Sequence, residues 1–240
     1  MKNKKSFIAI IIIALFIYSS MMIQCYANSA EPPSILIIVS NPPDDLDISI
    51  DNGEEIYAGK KIYKVVESYY TFYSSRMKKT NDYILIVTSE DVSFEMKLDD
   101  SLENYNNIFT LDLKSHILIR GKLISRSIFL VSMRVALTIL IEAIIFWIFG
   151  FKNKKSWSTF LIINLITQGA LNIWINGYSP IQSYIIFGLI FGEFFIFMAE
   201  IAVFLIFCKE HSRTRKVLYV LTANFISLLV GGYIISILPI

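Results

Sequence analysis

Four apolar stretches constrain this chain more than anything else in it: roughly Ser127 to Phe151, Ser156 to Asn176, Ser183 to Cys208 and Val217 to Pro239. Each is near the ~20 residues that a helix needs to cross a hydrocarbon core. With 55% hydrophobic residues in a chain of 240, the composition is that of a small integral membrane protein rather than a soluble domain.

Charge orients the spans. Lys152, Lys154 and Lys155 fill the first connection and Lys209, Arg213, Arg215 and Lys216 the third, whereas the second, "GYSPIQ", has no charge. Cytoplasmic loops carry the excess of Lys and Arg, so loops 152–155 and 209–216 are expected in the cytoplasm and both ends of the mature chain outside. The start, "MKNKKSFIAIIIIALFIYSSMMIQCYANSA", agrees: a basic tip, an apolar run, then Cys25-Tyr26-Ala27 with small residues where a signal peptidase reads. Residues 1–27 are expected to be a signal peptide. Gln24 is a poor fit to the small residue that precedes a lipidated cysteine.

Between signal and spans, residues 28–126 change texture. The short runs "SILIIV", "LDISID", "KIYKVVESYYTFYSS", "YILIVTS", "VSFEMKL" and "IFTLDL" are β-prone and separated by turn residues such as Asn41-Pro42-Pro43-Asp44 and Asp51-Asn52-Gly53. They predict an exported all-β, sandwich-like domain of five to seven antiparallel strands, although the tract from Val65 to Phe72 also fits a helix. The all-α bundle of four spans follows over residues 127–240. Sixteen of the twenty Asp and Glu lie in the β segment against eleven Lys and Arg, an acidic excess that disfavours nucleic acid. Tyr69, Tyr70, Phe72 and Tyr73 could form a ligand platform, but aromatic alternation in a strand more often builds core. Once Cys25 leaves with the signal only Cys208 remains, so no internal disulfide is available. His116 and His211 stand apart from any acidic cluster, and no metal site or cofactor is expected.

Polar residues inside the spans are the candidates for function, because ionisable groups at bilayer depth are costly and seldom idle. "GEFFIFMAEIAVF" holds Glu193 and Glu200, which lie about 20° apart around a helix and so share neighbours. Glu142 lies roughly 22 Å below the outer end of the first span, and Glu193 and Glu200 roughly 15 and 25 Å below that of the third. The second span places Asn164, Gln168, Asn172 and Asn176 at steps of four, with Thr167 beside them, in one polar stripe. Asn224 and Ser227 of the fourth fall at similar depth. Arg134, nearer the outer face, either snorkels to the interface or reaches inward. Amides and hydroxyls alone commonly glue transmembrane helices. Three carboxylates exceed that need and suit proton exchange or cation binding.

The combination "RVALTILIEAIIFWIFGFKNKK", "NLITQGALN" and "GEFFIFMAEIAVFLI", after an exported segment containing "NPP", resembles an uncharacterised family of small four-span membrane proteins of low-GC Gram-positive bacteria. The likeness covers the spans clearly and the exported segment weakly. It implies recurring polar positions at Arg134, Thr138, Glu142, Asn164, Thr167, Gln168, Asn172, Glu193 and Glu200, and no activity.

The leading functional expectation is therefore a plasma-membrane assembly, sensing or partner-coupling protein, in contact with lipid and with a membrane protein partner or a second copy of itself. The alternative is a small proton- or cation-coupled transporter or channel component. An enzyme is not expected, since HExxH, GxSxG and the paired aspartates of intramembrane proteases are missing from the sequence.

Overall fold

The computed structural model describes residues 34–73, 83–98, 105–180 and 185–239. The expected signal peptide, its cleavage point and Cys25 lie outside the described residues. The described residues form two units, a β unit running to Ser127 and a helical unit from Ile128 to Ser236.

Among the described residues the β unit has nine strands: β1 (Ser34–Ser40), β2 (Asp47–Asp51), β3 (Ile56–Ala58), β4 (Lys60–Lys64), β5 (Glu67–Tyr73), β6 (Tyr83–Thr88), β7 (Ser93–Leu98), β8 (Asn106–Asp112) and β9 (Ile117–Arg120). They form two sheets, ordered β4-β5-β1-β8-β9 and β3-β2-β6-β7. Ile35, Ile37, Val39, Tyr70, Phe72, Phe109 and Leu111 from the first meet Ile48, Ile50, Leu85, Val87 and Leu98 from the second in one core. Each such aliphatic or aromatic side chain contributes roughly 1.5–3 kcal/mol by leaving water. The sandwich is as expected, with two differences. Strands β3 and β9 are additional, and β1 pairs β8 in parallel, Ser34 opposite Asn106 through Val39 opposite Leu111. The remaining pairs are antiparallel.

Strand β1 is central in its sheet and buried from Ser34 to Val39, which is why "SILIIV" is an unbroken apolar run instead of an alternating one. The tract that also fits a helix, Val65 to Phe72, forms the turn of the β4–β5 hairpin and most of β5. Tyr69, Tyr70 and Phe72 are buried in it, so the aromatic cluster is core rather than platform. On the face of β5 carrying Tyr69, Arg126 donates through Nε to Glu67 Oε1 (2.6 Å), through Nη2 to Glu67 Oε2 (2.7 Å) and to the Tyr69 hydroxyl (3.1 Å). This bidentate pair gives two buried charges the partners that burial requires. The Asp51-Asn52-Gly53 turn closes β2 onto β3. Gly53 takes φ +84°, a conformation that a side chain would strain, and Asn52 Oδ1 accepts from the amides of Glu54 and Glu55.

Four helices follow: α1 (Ile124–Ile148), α2 (Lys154–Asn176), α3 (Ile185–Phe207) and α4 (Arg213–Ile237). All four are long and apolar enough to cross a bilayer, and the protein is a multi-pass membrane protein. Their outward faces are apolar, for example Ile128, Leu140, Trp147, Leu165, Phe187, Met198 and Leu229, as contact with lipid requires. Helices α2 and α3 approach closely where glycine allows it. A Cβ on Gly192 would fall inside the Leu171 side chain, and one on Gly188 would press on the Trp174 ring at 3.3 Å. Spaced as small-xxx-small, these glycines let van der Waals packing hold the pair.

At one end of the bundle the α1–α2 and α3–α4 connections are clasped together. Glu210 accepts from the amides of Lys152 (2.8 Å) and Asn153 (3.0 Å), and Asn153 in turn caps α2 by accepting from the Lys155 amide. His211 Nε2 meets the Gly150 carbonyl at 3.0 Å with its ring against Phe151. Lys216 Nζ donates to the Cys208 carbonyl at 2.7 Å. These two connections are the basic loops of the sequence.

Candidate functional site

The helical unit is layered along its axis, and the layers follow from residue spacing. Helix α1 carries Arg134, Thr138 and Glu142 at steps of four, hence on one face; α2 carries Asn164, Gln168 and Asn172 in the same way, with Thr167 adjoining. These faces turn inward. Glu142, Asn164, Thr167, Gln168, Glu200 and Asn224 are each 0–2% exposed, and Arg134, Asn172 and Glu193 are buried as well.

In the middle layer two carboxylates bond across helices. Glu142 Oε1 on α1 accepts from the Ser227 hydroxyl on α4 at 3.0 Å. Glu200 on α3 accepts from Thr167 Oγ1 of α2 at 3.1 Å and from Asn224 Nδ2 of α4 at 2.6 Å. One glutamate therefore ties three helices together. Asn224 Nδ2 also donates one turn back, to the Val220 carbonyl, and Asn164 Nδ2 to Phe160 and Asn172 Nδ2 to Gln168 make that bond on their own helix. The polar stripe thus faces the interior, with Thr167 bonding Glu200 across to α3 and Gln168 set against Glu193.

Toward the end away from the clasp, a cavity of about 30 Å³ opens among all four helices. Arg134, Thr138, Gln168, Asn172, Glu193 and Ser227 supply its polar lining; Leu137, Ile141, Leu171, Leu189 and Leu228 are among its apolar lining residues. Arg134 is therefore inward-facing, with Nε on the Leu130 carbonyl at 3.2 Å, rather than snorkelled. Glu193 lines this cavity while Glu142 and Glu200 do not, so the pair that sequence spacing puts on one helix face serves two levels. A water needs roughly 10–15 Å³ of such space, so the cavity has room for about two waters and none for an organic solute.

Toward the clasp, the interior is shut by aromatic rings. Phe146 stacks on Phe151 (centroids 4.2 Å apart) and Phe160 (4.9 Å) and meets the edges of Trp157 and Tyr219 at 5.0 Å each; Phe204 closes the group at 5.8 Å. Phe146, Phe151, Phe204 and Tyr219 are fully buried. Sequence reasoning missed this plug, because aromatic residues in an apolar span carry no signal that separates interior from lipid-facing positions. It also left out Tyr219, whose buried hydroxyl has no protein partner.

Several polar atoms of the two upper layers are buried without a protein hydrogen bond: Glu142 Oε2, Glu193 Oε2, Gln168 Nε2, Asn164 Oδ1 and Asn224 Oδ1. In a finished structural contact such atoms would be paired, since each unsatisfied group costs about 1–3 kcal/mol. Of these, Glu193 and Gln168 line the cavity, which has room for water beside them. Comparison with family models, curated proteins and solved structures finds no match.

Proposed function

We propose that this is a plasma-membrane sensing or assembly protein in which an exported β domain binds a partner and the helical bundle couples to that binding without conducting anything across the membrane. The single observation that carries this reading is the asymmetry of the bundle interior. Polar groups and a cavity occupy one side of the Glu142–Glu200 layer, and a plug of interlocked rings fills the other. A conduit needs polar or water-filled continuity through the bilayer. The acidic β domain supplies the binding module, and the basic loops support placing the clasp in the cytoplasm. The likeness to Gram-positive membrane proteins is compatible with that placement.

The transporter reading draws on the same carboxylates, and vesicles separate the two. Reconstituted wild-type protein and Glu193→Gln/Glu200→Gln should be equally silent when proton, Na⁺ and K⁺ fluxes are recorded. In cells, photo-crosslinking groups on exposed β-domain positions such as Tyr63 and Ile117 should capture one protein, and the double variant should capture it less. A flux in the wild type that disappears in the double variant would replace this reading with transport.

A further inference from the structure

The two hydroxyls that touch the carboxylates each have a second acceptor within reach. Ser227 Oγ lies 3.0 Å from Glu142 Oε1 and 3.1 Å from the Asn224 carbonyl. Thr167 Oγ1 lies 3.1 Å from Glu200 Oε1 and 2.9 Å from the Ile163 carbonyl. A hydroxyl has one proton to give and two lone pairs to accept with. Beside an ionised carboxylate it donates to the carboxylate. Beside a protonated one it accepts the acid proton and turns its own toward the helix carbonyl. Each of these two contacts can therefore be kept in either protonation state without moving a helix, which a contact built only to hold the bundle has no need of.

We propose that this layer is a proton-exchange site loaded from the cavity end alone, with Glu193 as the entry group and Ser227 as the link to Glu142; the inference deepens the sensing reading above and rests on it. A hydronium ion in the cavity gives its proton to Glu193 Oε2: one O–H bond of the hydronium breaks, one forms on the carboxylate, and water remains. Ser227 lines the same cavity, so its Oγ takes a proton from a second hydronium there, which is left as water, while its own proton passes to Glu142 Oε1; two O–H bonds break and two form. Release reverses both steps. Glu200 already holds two donors and needs no proton to satisfy its oxygens, whereas Glu142 Oε2 and Glu193 Oε2 have none. The aromatic plug stops the proton there, so the site reports the pH of one side.

The ionisable groups that face the layer come from three of the four helices. Helix α1 brings Arg134 and Glu142, α3 brings Glu193 and Glu200, α4 brings Tyr219, and α2 brings only uncharged groups, Asn164, Thr167, Gln168 and Asn172. The guanidinium of Arg134 lines the cavity and disfavours a resident metal cation and a lingering hydronium alike, so a proton that enters rests on a carboxylate and not on water. A hard cation also demands about six oxygen ligands, more than this lining offers beside one carboxylate. A proton needs a single oxygen.

The test uses the full chain in vesicles, oriented by selecting those whose β domain is open to added protease. Infrared spectra of the carboxylic C=O band are followed after a pH step on either side. The expected result is a band that grows when the β-domain side is acidified and stays fixed when the opposite side is. Glu193→Gln should abolish the fast response, and Ser227→Ala, which retains all three glutamates, should leave Glu193 responding while the remainder of the band lags. A band unchanged by pH on both sides, an equal response from both, or a wild-type response in both variants would overturn the proposal. A band shifted by Na⁺ or K⁺ at constant pH would also overturn it, in favour of a cation site. If Glu193→Gln does not fold, Ser227→Ala decides alone. Transmembrane flux with exchange intact would sink the sensing reading and spare the entry route.

Discussion

Asn164 and Asn224 are the same side chain at the same burial, 0% exposed, and the bundle uses them differently. Both amides donate four residues back, Asn164 to the Phe160 carbonyl and Asn224 to that of Val220, and Asn224 Nδ2 alone of the two also reaches across to Glu200 Oε2. Replacing Asn164 by Leu removes a buried polar group with no interhelical bond and should leave thermal unfolding in detergent unchanged or slightly raised. Asn224→Leu strips Glu200 of a donor and should destabilise by about 1–3 kcal/mol, read as a lower midpoint in the same assay. Equal losses would mean that both amides act as glue. Sequence reveals that both residues are polar at bilayer depth, because periodicity locates a face. It cannot reveal which partner an amide selects, since that depends on whether the facing helix offers a carboxylate within 3 Å or so. Arg134 is similar: its depth is legible, and its inward turn follows from a cavity that only packing creates.

Elements were legible in proportion to their length and the strength of their period. The four spans show themselves as long apolar runs, and β1, β2, β5, β6, β7 and β8 as β-prone runs between turn residues. Strands β3 and β9 are three and four residues long, too short for alternation to stand out. The parallel pairing of β1 with β8 joins residues 72 apart in sequence, a contact that no local signal encodes. The clasp between the basic loops was also hidden, because Glu210 is the lone acid among Lys and Arg and its partners are backbone amides. Burial pushes the Glu210 carboxyl up, but donors from the Lys152 and Asn153 amides and from Ser156, with His211 nearby, outweigh it and hold its pKa below the ordinary glutamate value. A depressed folded pKa gives stability that is complete above the unfolded value of about 4.3 and is lost as pH falls through the lower folded value. Cleavage by an acid-tolerant protease at residues 208–213 should therefore be slow near pH 6 and accelerate below about pH 4. Glu210→Gln should cleave at one rate across that range. A Glu210→Gln profile identical to wild type would remove the clasp from the account of this end.

At the scale of the whole molecule, charge and contact distinguish the two ends of the bundle. Lys and Arg concentrate in two connections, acids concentrate in the β unit, and the clasp binds the two basic connections to each other at a single end of the bundle. Crossing from the clasp, the interior passes from rings to carboxylates to a cavity, so the polar end is the end from which α1 sets out. If that end faces outward, the carboxylate layer samples the exterior and the plug guards the cytoplasm; reversed, the same layer would sample the cytoplasm. Trypsin decides between them. In intact protoplasts, added trypsin should cut the β unit at exposed lysines such as Lys60 and leave 152–155 and 209–216 whole until the membrane is opened. A fragment ending at Lys209 or Arg213 in unopened protoplasts would invert the topology, and a pH step on the cytoplasmic side would then be the one the glutamates follow.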